Sequence, residues 1–468
     1  MAIKPFLTLY FIINLYGFYS LRAQNSPPNF IVIVADDQGW NGTSVAMSKG
    51  NPLSKSDFYE TPNLELLAKQ GMCFSNAYAA APVCAPSRYS IQTGQTPARL
   101  QMIRVGMSTS HINHEQLQTI PKTLKSINSN YKTAHFGKWG MDSNPSVFGY
   151  DSSDGATKNK DGIFTNKPDQ WTVKPSDDPK QIFSITERAV SFIDTAKEQP
   201  FYVQISHYAI HSNLIATQNS IQKFENKPIG KTHNNIGLAA MTMDLDQSIG
   251  ILIKTLKANN LYENTYIIYT SDNGSVPIIR PRRKYPKSYN YPLQRGKWDA
   301  MEGGIRVPLI VCGPKVKKGT YSSIPVSSVD FLSTIMHLAG KKDKQSELID
   351  GGSFKHLLFK NNQKTVKRKT EGLIFHVPYK NGIALNRPHS AVIKNGFKLI
   401  TFHDNNEKAL FKINSDISES NNLTNSHKKE TKKLSEILDH YLTQVKAPKW
   451  QPGITWKNKS LETINSFD

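Results

Sequence analysis

The sequence is poor in cysteine, with only Cys73, Cys84 and Cys312 in 468 residues. So few thiols cannot form the disulfide framework on which small secreted domains depend. Cys73 and Cys312 are therefore expected to be packed thiols. Internal repeats and a nucleotide-binding loop are also missing, so dinucleotide chemistry has no support. At 38% hydrophobic residues, a chain of this length can bury one large core and a smaller second one.

Acidic residues are also scarce, since 37 Asp and Glu stand against 58 Lys and Arg, which gives a formal net charge of +21. Such a charge attracts polyanions, nucleic acid among them. Five basic residues cluster in one stretch, namely Arg280, Arg282, Arg283, Lys284 and Lys287. The other lysines are scattered along the chain, so a general solubilising charge is the alternative interpretation.

One apolar and aromatic run, from Phe6 to Leu21, opens the chain and is followed by Arg22-Ala23-Gln24. This pattern predicts a secretory signal peptide over residues 1–23, with cleavage near Ala23. A transmembrane anchor is the alternative, although the run is somewhat short and polar residues interrupt it. We expect an exported protein, periplasmic or secreted, without membrane contact after cleavage.

Two predicted strands each end in a pair of residues with side-chain oxygens. The run Asn29–Ala35 is typical of a strand buried on both faces of a parallel sheet, and Asp36-Asp37 follows it. A second run, Thr265–Thr270, leads to Asp272-Asn273. Ligands collect at the carboxyl ends of such strands, and all-oxygen sites suit calcium or magnesium. The alternatives are a solvated loop for the first pair and a simple turn for the second.

Cys84 lies where a loop is predicted to become a helix. Pro86 suits a first helical turn, and the residues that follow, as far as Gln92, can continue the helix. Backbone amides at a helix start favour anions, which would suit a reactive cysteine. A small buried cysteine is the plainer interpretation of this residue alone.

Two more predicted strands end in cationic or titratable side chains. Lys138 ends the strand that begins at Tyr131, and His207 and His211 follow the strand that begins near Phe201. Imidazole can be charged near neutral pH, as a general acid requires. A surface lysine and structural histidines are the alternatives.

The pentapeptide Cys84-Ala85-Pro86-Ser87-Arg88 resembles the Cys-x-Pro-Ser-Arg signature of the type I sulfatases. In that family a maturation enzyme oxidises the cysteine to formylglycine. One hydroxyl of the hydrated aldehyde attacks sulfur, and the other later drives the release of sulfate. Further stretches resemble the family in the same order along the chain, namely Asp36–Trp40, Gly137–Trp139, Ser271–Gly274 and Tyr291–Ile310.

The resemblance implies a role for each matching residue. The implied catalytic residues are Cys84, Arg88, Lys138, His211 and Lys297; the substrate-binding residues are Lys138, His207, His211 and Lys297; the metal ligands are Asp36, Asp37, Cys84, Asp272 and Asn273. His211 would donate a proton to the leaving alcohol. The implied metal is calcium, with magnesium as an alternative, and Cys84 would be the modified residue.

At one position the sequence departs from the family pattern. The family's Gly-Lys-Trp is normally followed by a histidine that hydrogen-bonds the formylglycine, but this chain has Gly140. Either His135 or His207 takes over that role, or the site manages without it.

The resemblance also implies an α/β fold, an alkaline-phosphatase-like α/β/α sandwich with a mostly parallel central sheet. A smaller C-terminal α+β subdomain with an antiparallel sheet would follow. Residues 341–371 are polar, lysine-rich and irregular, which predicts a boundary. We expect a signal peptide at 1–23, a catalytic domain at 24–370 and the subdomain at 371–468.

The expected function is hydrolysis of sulfate esters on a sulfated polysaccharide or oligosaccharide. An exported basic protein of this family would meet sulfated carbohydrate rather than nucleic acid. A phosphonate or phosphodiester hydrolase of the same superfamily and a non-catalytic sulfated-glycan binder are the alternatives.

Overall fold

The computed structural model describes residues 26–277, 289–341, 346–360, 362, 364–380 and 387–452. The predicted signal peptide and the basic stretch at 280–287 lie outside these residues. The described strands are β1 (Asn29–Ala35), β2 (Gly71–Phe74), β3 (Ala77–Tyr78), β4 (Lys132–Gly137), β5 (Ser152–Ser153), β6 (Lys174–Pro175), β7 (Phe201–Ser206), β8 (Ile215–Ala216), β9 (Thr265–Ser271), β10 (Leu309–Cys312), β11 (Thr320–Ser322), β12 (Val326–Ser327), β13 (Leu373–Val377), β14 (His389–Lys394), β15 (Phe397–Phe402) and β16 (Lys408–Phe411).

The described α-helices are α1 (Pro62–Gln70), α2 (Cys84–Thr93), α3 (Pro97–Leu100), α4 (Ile120–Ile127), α5 (Ile182–Ala196), α6 (Gln218–Glu225), α7 (Ile236–Ala258), α8 (Glu302–Ile305), α9 (Phe331–Leu338), α10 (Lys355–Lys360) and α11 (Lys428–Gln444). Short 3₁₀ turns connect several of them. The predicted bounds of β1 agree with the structure to the residue.

The central sheet has eight strands in the order β11-β2-β10-β9-β1-β7-β4-β5. Strand β1 pairs in parallel with β7 and β9, whereas β10 runs antiparallel to both of its neighbours. All seven residues of β1 are buried because helices cover both faces of the sheet. The predicted mostly parallel sheet is confirmed.

Alternate side chains of β1 enter two separate cores, as the two-residue period of a strand requires. Phe30, Val32 and Val34 pack with residues of α2, α4 and α9. Ile31 and Ile33 pack on the opposite face with residues of α1, α5 and α7. This arrangement is the predicted α/β/α sandwich.

The C-terminal sheet is antiparallel, in the order β13-β14-β15-β16. Its outer face packs Val392, Leu399 and Leu410 against Leu434 and Leu438 of α11. The predicted antiparallel C-terminal sheet is therefore confirmed.

Residues 341–371 are less irregular than expected, because they contain α10. Phe354, Leu357 and Leu358 are fully buried in the main core. The lysines around them determine the composition of the stretch, but these three apolar side chains determine its structure. The prediction of irregular chain was wrong here.

Among the described residues, one helix, α7, is long and apolar enough to cross a membrane by length and composition. However, 72% of its most apolar window is buried inside the protein. This is the burial expected of a core helix that packs against the central sheet.

Candidate active site

The candidate site lies where β1 and β9 end side by side. Ala35 pairs with Ser271, so the residues that follow these strands meet at the carboxyl edge of the sheet. The amide of Asp37 donates a hydrogen bond of 3.2 Å to Asp272 Oδ1. Carboxylate oxygens of Asp36, Asp37 and Asp272 lie within 4.8 Å of one another, and all three side chains are buried. The structure thus brings together Asp36-Asp37 and Asp272-Asn273, two pairs that lie about 235 residues apart in sequence.

Three buried cations surround these acids. Lys138 Nζ contacts Asp36 Oδ2 at 2.5 Å, and Lys297 Nζ contacts Asp37 at 2.7 Å. Arg88 Nε donates to Asp272 Oδ2 at 2.8 Å. In addition, an Arg88 terminal nitrogen donates to the Lys138 carbonyl at 2.6 Å. Acidic and basic side chains are therefore paired in this site, and all of them are almost fully buried.

Burial and pairing shift the pKa values of these groups in opposite directions. Burial raises the pKa of Asp272 to about 6, against the opposing effect of Arg88. Burial also penalises ionised Asp36, but Lys138, His211 and Arg88 lower its pKa well below the usual range. Burial lowers the pKa of Lys297, but the combined attraction of Asp37, Cys84 and Asp36 outweighs burial and raises it. Lys138 and Arg88 thus hold Asp36 ionised inside the protein.

Cys84 is the first residue of α2, as expected, and is 3% exposed. Its thiol lies within electrostatic range of Lys297 and Arg88. Gly94 caps the end of the helix: its φ is 66°, and its amide donates a hydrogen bond to the Ser90 carbonyl. Cys73, by contrast, lies in the core, where burial raises its pKa to about 12, so it is an inert packed thiol as predicted.

His211 faces the same acids. Its Nε2 lies 3.6 Å from Asp37 Oδ2, and its Nδ1 lies 2.7 Å from the Ser212 carbonyl. Phe164 packs edge-on against the ring at 4.8 Å between centroids. Burial, with a further contribution from Lys297, lowers the pKa of His211 to about 4, so the imidazole is neutral at pH 7 in the substrate-free protein.

The geometry at Gly140 is unfavourable for a histidine. Its φ is +74°, and a Cβ at this position would lie 3.2 Å from Arg88 Cδ. A histidine here would therefore be strained and would press on the Arg88 side chain. The Arg88 side chain occupies the space beside Gly140 and Lys138 instead.

The two histidines that could substitute for this residue, His135 and His207, differ in their contacts. His135 Nε2 pairs with Ser206 Oγ at 3.1 Å, and its ring packs edge-on against Trp139. His207 is 1% exposed, and its Nδ1 has no hydrogen-bond partner among the described residues. Burial lowers the pKa of each to about 3, so both are neutral.

The acidic cluster fits a divalent cation, because two of the buried oxygens around it lack a hydrogen-bond partner in the part of the chain that the structure describes. Asp36 Oδ1 and Asn273 Oδ1 have no hydrogen-bond partner among the described residues. The amide nitrogen of Asn273 donates to Asp37 Oδ1 at 2.8 Å, which leaves its oxygen free to accept. Unpaired buried oxygens are costly, and an oxygen-seeking cation would satisfy both.

A cavity of about 470 Å³ opens beside the cluster, and Asp37, His211 and Lys297 line its inner end. Its outer wall comes from the segment at 164–171 and from Trp298. The wall residues include Phe164, Asn166, Lys167, Pro168, Gln170, Trp171 and Trp298. The sequence offered no periodic or motif signal for these residues, because a loop wall depends on tertiary contacts.

Four hydrogen bonds hold the segment at 164–171 next to His211. Ser212 Oγ donates to Gln170 Oε1 at 2.7 Å, and the Leu214 amide donates to the Gln170 carbonyl at 2.9 Å. Asn213 and Thr165 exchange hydrogen bonds at 3.0 and 2.8 Å. The outer wall and the histidine are therefore one connected structure.

The model of the family described as Sulfatase matches residues 28–341. The chain belongs to the sulfatase family. A second model, described as N-sulphoglucosamine sulphohydrolase, C-terminal, matches residues 297–448. The predicted resemblance is confirmed by these two matches.

Relatives of this chain are identical to it at about a quarter of the aligned residues. N-acetylgalactosamine-6-sulfatase from Homo sapiens is 27% identical over 363 residues, which cover 69% of this chain and 64% of that protein. A sulfatase from Formosa agariphila is 26% identical and covers 85% of both chains. The chain spans 64–65% of the length of the mammalian relatives named N-acetylgalactosamine-6-sulfatase.

A crystal structure of Ps i-CgsB in complex with k-i-k-neocarrahexaose is similar throughout. Its TM-score is 0.72 at 27% identity, and the match covers 91% of this chain and 95% of that one. This likeness agrees with the alkaline-phosphatase-like fold expected of the family.

Proposed function

We propose that this protein is a sulfatase that hydrolyses sulfate esters with a nucleophile made from Cys84. The observation that carries the proposal is the convergence of Lys138, Lys297 and His211 on an acidic cluster beside the start of α2. Family membership gives this cluster its chemical meaning.

The proposed nucleophile is formylglycine, formed from Cys84 by a separate maturation enzyme. When present, the hydrated aldehyde supplies an attacking hydroxyl and a second hydroxyl whose loss of a proton expels sulfate. Arg88 lies one turn further along α2 and, together with Lys297, supplies positive charge near this position.

The proposed metal ligands are Asp36, Asp37, Asp272, Asn273 and the modified Cys84, with calcium as the expected ion and magnesium as the alternative. A bound cation would polarise a sulfate oxygen and favour an ionised hydroxyl. The unpaired oxygens of Asp36 and Asn273 support this assignment.

The lysines and histidines are proposed to bind and protonate the substrate. Lys138 and Lys297 would bind sulfate oxygens and spread the charge that develops during transfer. His211 is neutral in the free protein, but an adjacent sulfate raises an imidazole pKa because the anion stabilises the imidazolium. His211 could then protonate the leaving oxygen. His207 is the proposed further substrate-binding residue.

The proposed substrate is a sulfated polysaccharide or oligosaccharide, and no role for nucleic acid is proposed. Two half-buried indoles, those of Trp171 and Trp298, line the cavity beside His211 and offer apolar surface to a sugar ring. The net charge of +21 favours a polyanionic chain. Export to the periplasm or the medium, after removal of residues 1–23, would bring the protein to such a substrate.

We also propose the division into a catalytic domain at 24–370 and a C-terminal subdomain at 371–468. The start of the antiparallel sheet at Leu373 supports this boundary.

The function is tested by measuring sulfate release from p-nitrophenyl sulfate and from sulfated oligosaccharides of known linkage. The panel includes the neocarrahexaose and N-acetylgalactosamine 6-sulfate. Turnover of a bis-aryl phosphodiester is measured in parallel. We expect turnover of sulfate esters to exceed that of the phosphodiester. Faster phosphodiester turnover would favour the alternative hydrolase, and binding without turnover of any ester would favour a glycan-binding protein.

Lys167 provides a test of the polyanion hypothesis. It is exposed, lines the cavity and has no ion pair among the described residues. We expect Lys167→Ala to raise the KM for a multiply sulfated oligosaccharide about fivefold at low salt. Added salt should narrow this difference.

Lys174→Ala is the matched control. Lys174 is an exposed lysine seven residues after Lys167, but it pairs with Asp169 at 2.8 Å and does not line the cavity. Steady-state kinetics at two salt concentrations provide the measurement. Equal KM values for the two variants would contradict a role for Lys167 in binding the saccharide.

A further inference from the structure

The segment that carries Lys297 runs from Lys297 to Arg306 and is tied at its start to the central part of the protein. The Lys297 amide donates to the Ser275 carbonyl at 2.9 Å. The Trp298 amide donates to the Pro82 carbonyl, also at 2.9 Å, two residues before Cys84. The backbone position of Lys297 is therefore coupled to the loop that precedes Cys84.

The next part of this segment is held by the C-terminal sheet instead. The Ala300 amide donates to His389 Nε2 on β14 at 2.9 Å. The Nδ1 of the same ring lies 2.8 Å from the Arg387 carbonyl, so it carries the proton and leaves Nε2 as the acceptor. Burial lowers the pKa of His389 to about 4, which keeps this neutral form at pH 7. The imidazole thus fixes Ala300 three residues from Lys297.

A buried charge cluster makes a second connection two residues later. Lys398 Nζ on β15 contacts Glu302 Oε1 at 3.1 Å and Glu419 Oε1 at 2.7 Å. The Glu302 amide donates to Glu419 Oε2 at 2.7 Å, and Arg306 Nε donates to Glu302 Oε2 at 2.6 Å. The Lys398 and Glu302 side chains are fully buried. Glu302 lies between two cations, Lys398 and Arg306, so loss of Lys398 would remove one of its two buried partners.

We propose that His389 and Lys398 are positioning residues for Lys297, so that the C-terminal sheet is a working part of the active site. The proposal rests on the proposed sulfate-binding role of Lys297. Neither residue touches the candidate anion site. Both act through the backbone between Ala300 and Glu302, and displacement of that backbone moves the Lys297 ammonium away from Asp37. A shift of about 1 Å at a catalytic group can lower the rate about a hundredfold.

His389 allows a clean test because His376 is a matched control. His376 is also a buried histidine of this sheet, on the neighbouring strand β13, with partners Ser390 Oγ at 2.6 Å and the Pro448 carbonyl at 2.7 Å. Among the described contacts it does not reach the segment from Lys297 to Arg306. His389→Leu and His376→Leu each remove two buried hydrogen bonds, so similar losses of thermal stability are expected.

The two variants should differ in function. We expect His389→Leu to lower kcat/KM for p-nitrophenyl sulfate about 10- to 100-fold and to weaken inhibition by inorganic sulfate. His376→Leu should remain within about threefold of the wild type. His389→Gln restores an acceptor for the Ala300 amide and should recover most of the activity. Lys398→Met, assayed below its unfolding temperature, should behave like His389→Leu.

Equal losses in His389→Leu and His376→Leu, or no recovery in His389→Gln, would overturn the positioning role while the sulfatase assignment stands. If the matured wild type neither hydrolyses p-nitrophenyl sulfate nor binds inorganic sulfate by calorimetry, the proposed function fails and the positioning role fails with it. The two failures are therefore distinguishable by the wild-type measurement alone.

Discussion

Replacement of Cys84 by alanine is expected to abolish turnover and to leave the fold intact. The side chain is small, and its loss from the start of α2 removes one sulfur atom from a charged site rather than from an apolar core. The cost in stability should be about 1 kcal/mol. Loss of a covalent nucleophile, by contrast, lowers the rate by about 10⁴- to 10⁶-fold.

The measurement is sulfate release from p-nitrophenyl sulfate by protein whose Cys84 has been converted to the aldehyde, as verified by mass spectrometry. Cys73→Ala is the matched control, because Cys73 is a buried thiol on β2. Because Cys73 lies in the apolar core, Cys73→Ala should lower the stability at least as much as Cys84→Ala, but it should leave the activity unchanged. Retained turnover in Cys84→Ala would rule out the proposed nucleophile, whatever the control shows.

Loss of the divalent cation is expected to produce the second large effect. Chelation should lower turnover, and Asp272→Asn should lower it further, by about 10²- to 10⁴-fold. The reason is that a bound cation stabilises the charge that develops in the transition state by several kcal/mol. Asparagine is preferred to alanine at this position. Alanine would leave the Arg88 guanidinium buried without its partner at 2.7 Å, which would destabilise the fold itself.

Thermal unfolding separates metal binding from catalysis. Calcium at a hundred times its Kd should stabilise the wild type by about 2.7 kcal/mol, and Asp272→Asn should show a much smaller increase in Tm. Asp246→Asn is the control, since Asp246 is also buried but binds the Asn63 and Leu64 amides at the start of α1. Full activity in chelated, metal-free protein would refute the metal assignment.

Local sequence was sufficient to predict individual strands, and the family resemblance added the architecture and the candidate nucleophile. The bounds of β1 could be predicted because a continuous run of apolar residues is a property of a short segment. The pentapeptide at Cys84 has the same local character, and a glycine closes its helix four residues after Ser90. Composition misled at α10, where a few apolar residues outweighed many lysines.

Contacts between distant segments account for what the sequence left open. Gly140 has no visible reason in the sequence, but in the structure the Arg88 side chain, some fifty residues away, fills the space beside it. The cavity wall around Lys167 and Trp171 lies near His211 only because the Gln170 and Thr165 contacts hold it there. His389 acquires its part in the site through one hydrogen bond across 89 residues. Such pairings depend on chain topology and side-chain packing, which no local pattern encodes.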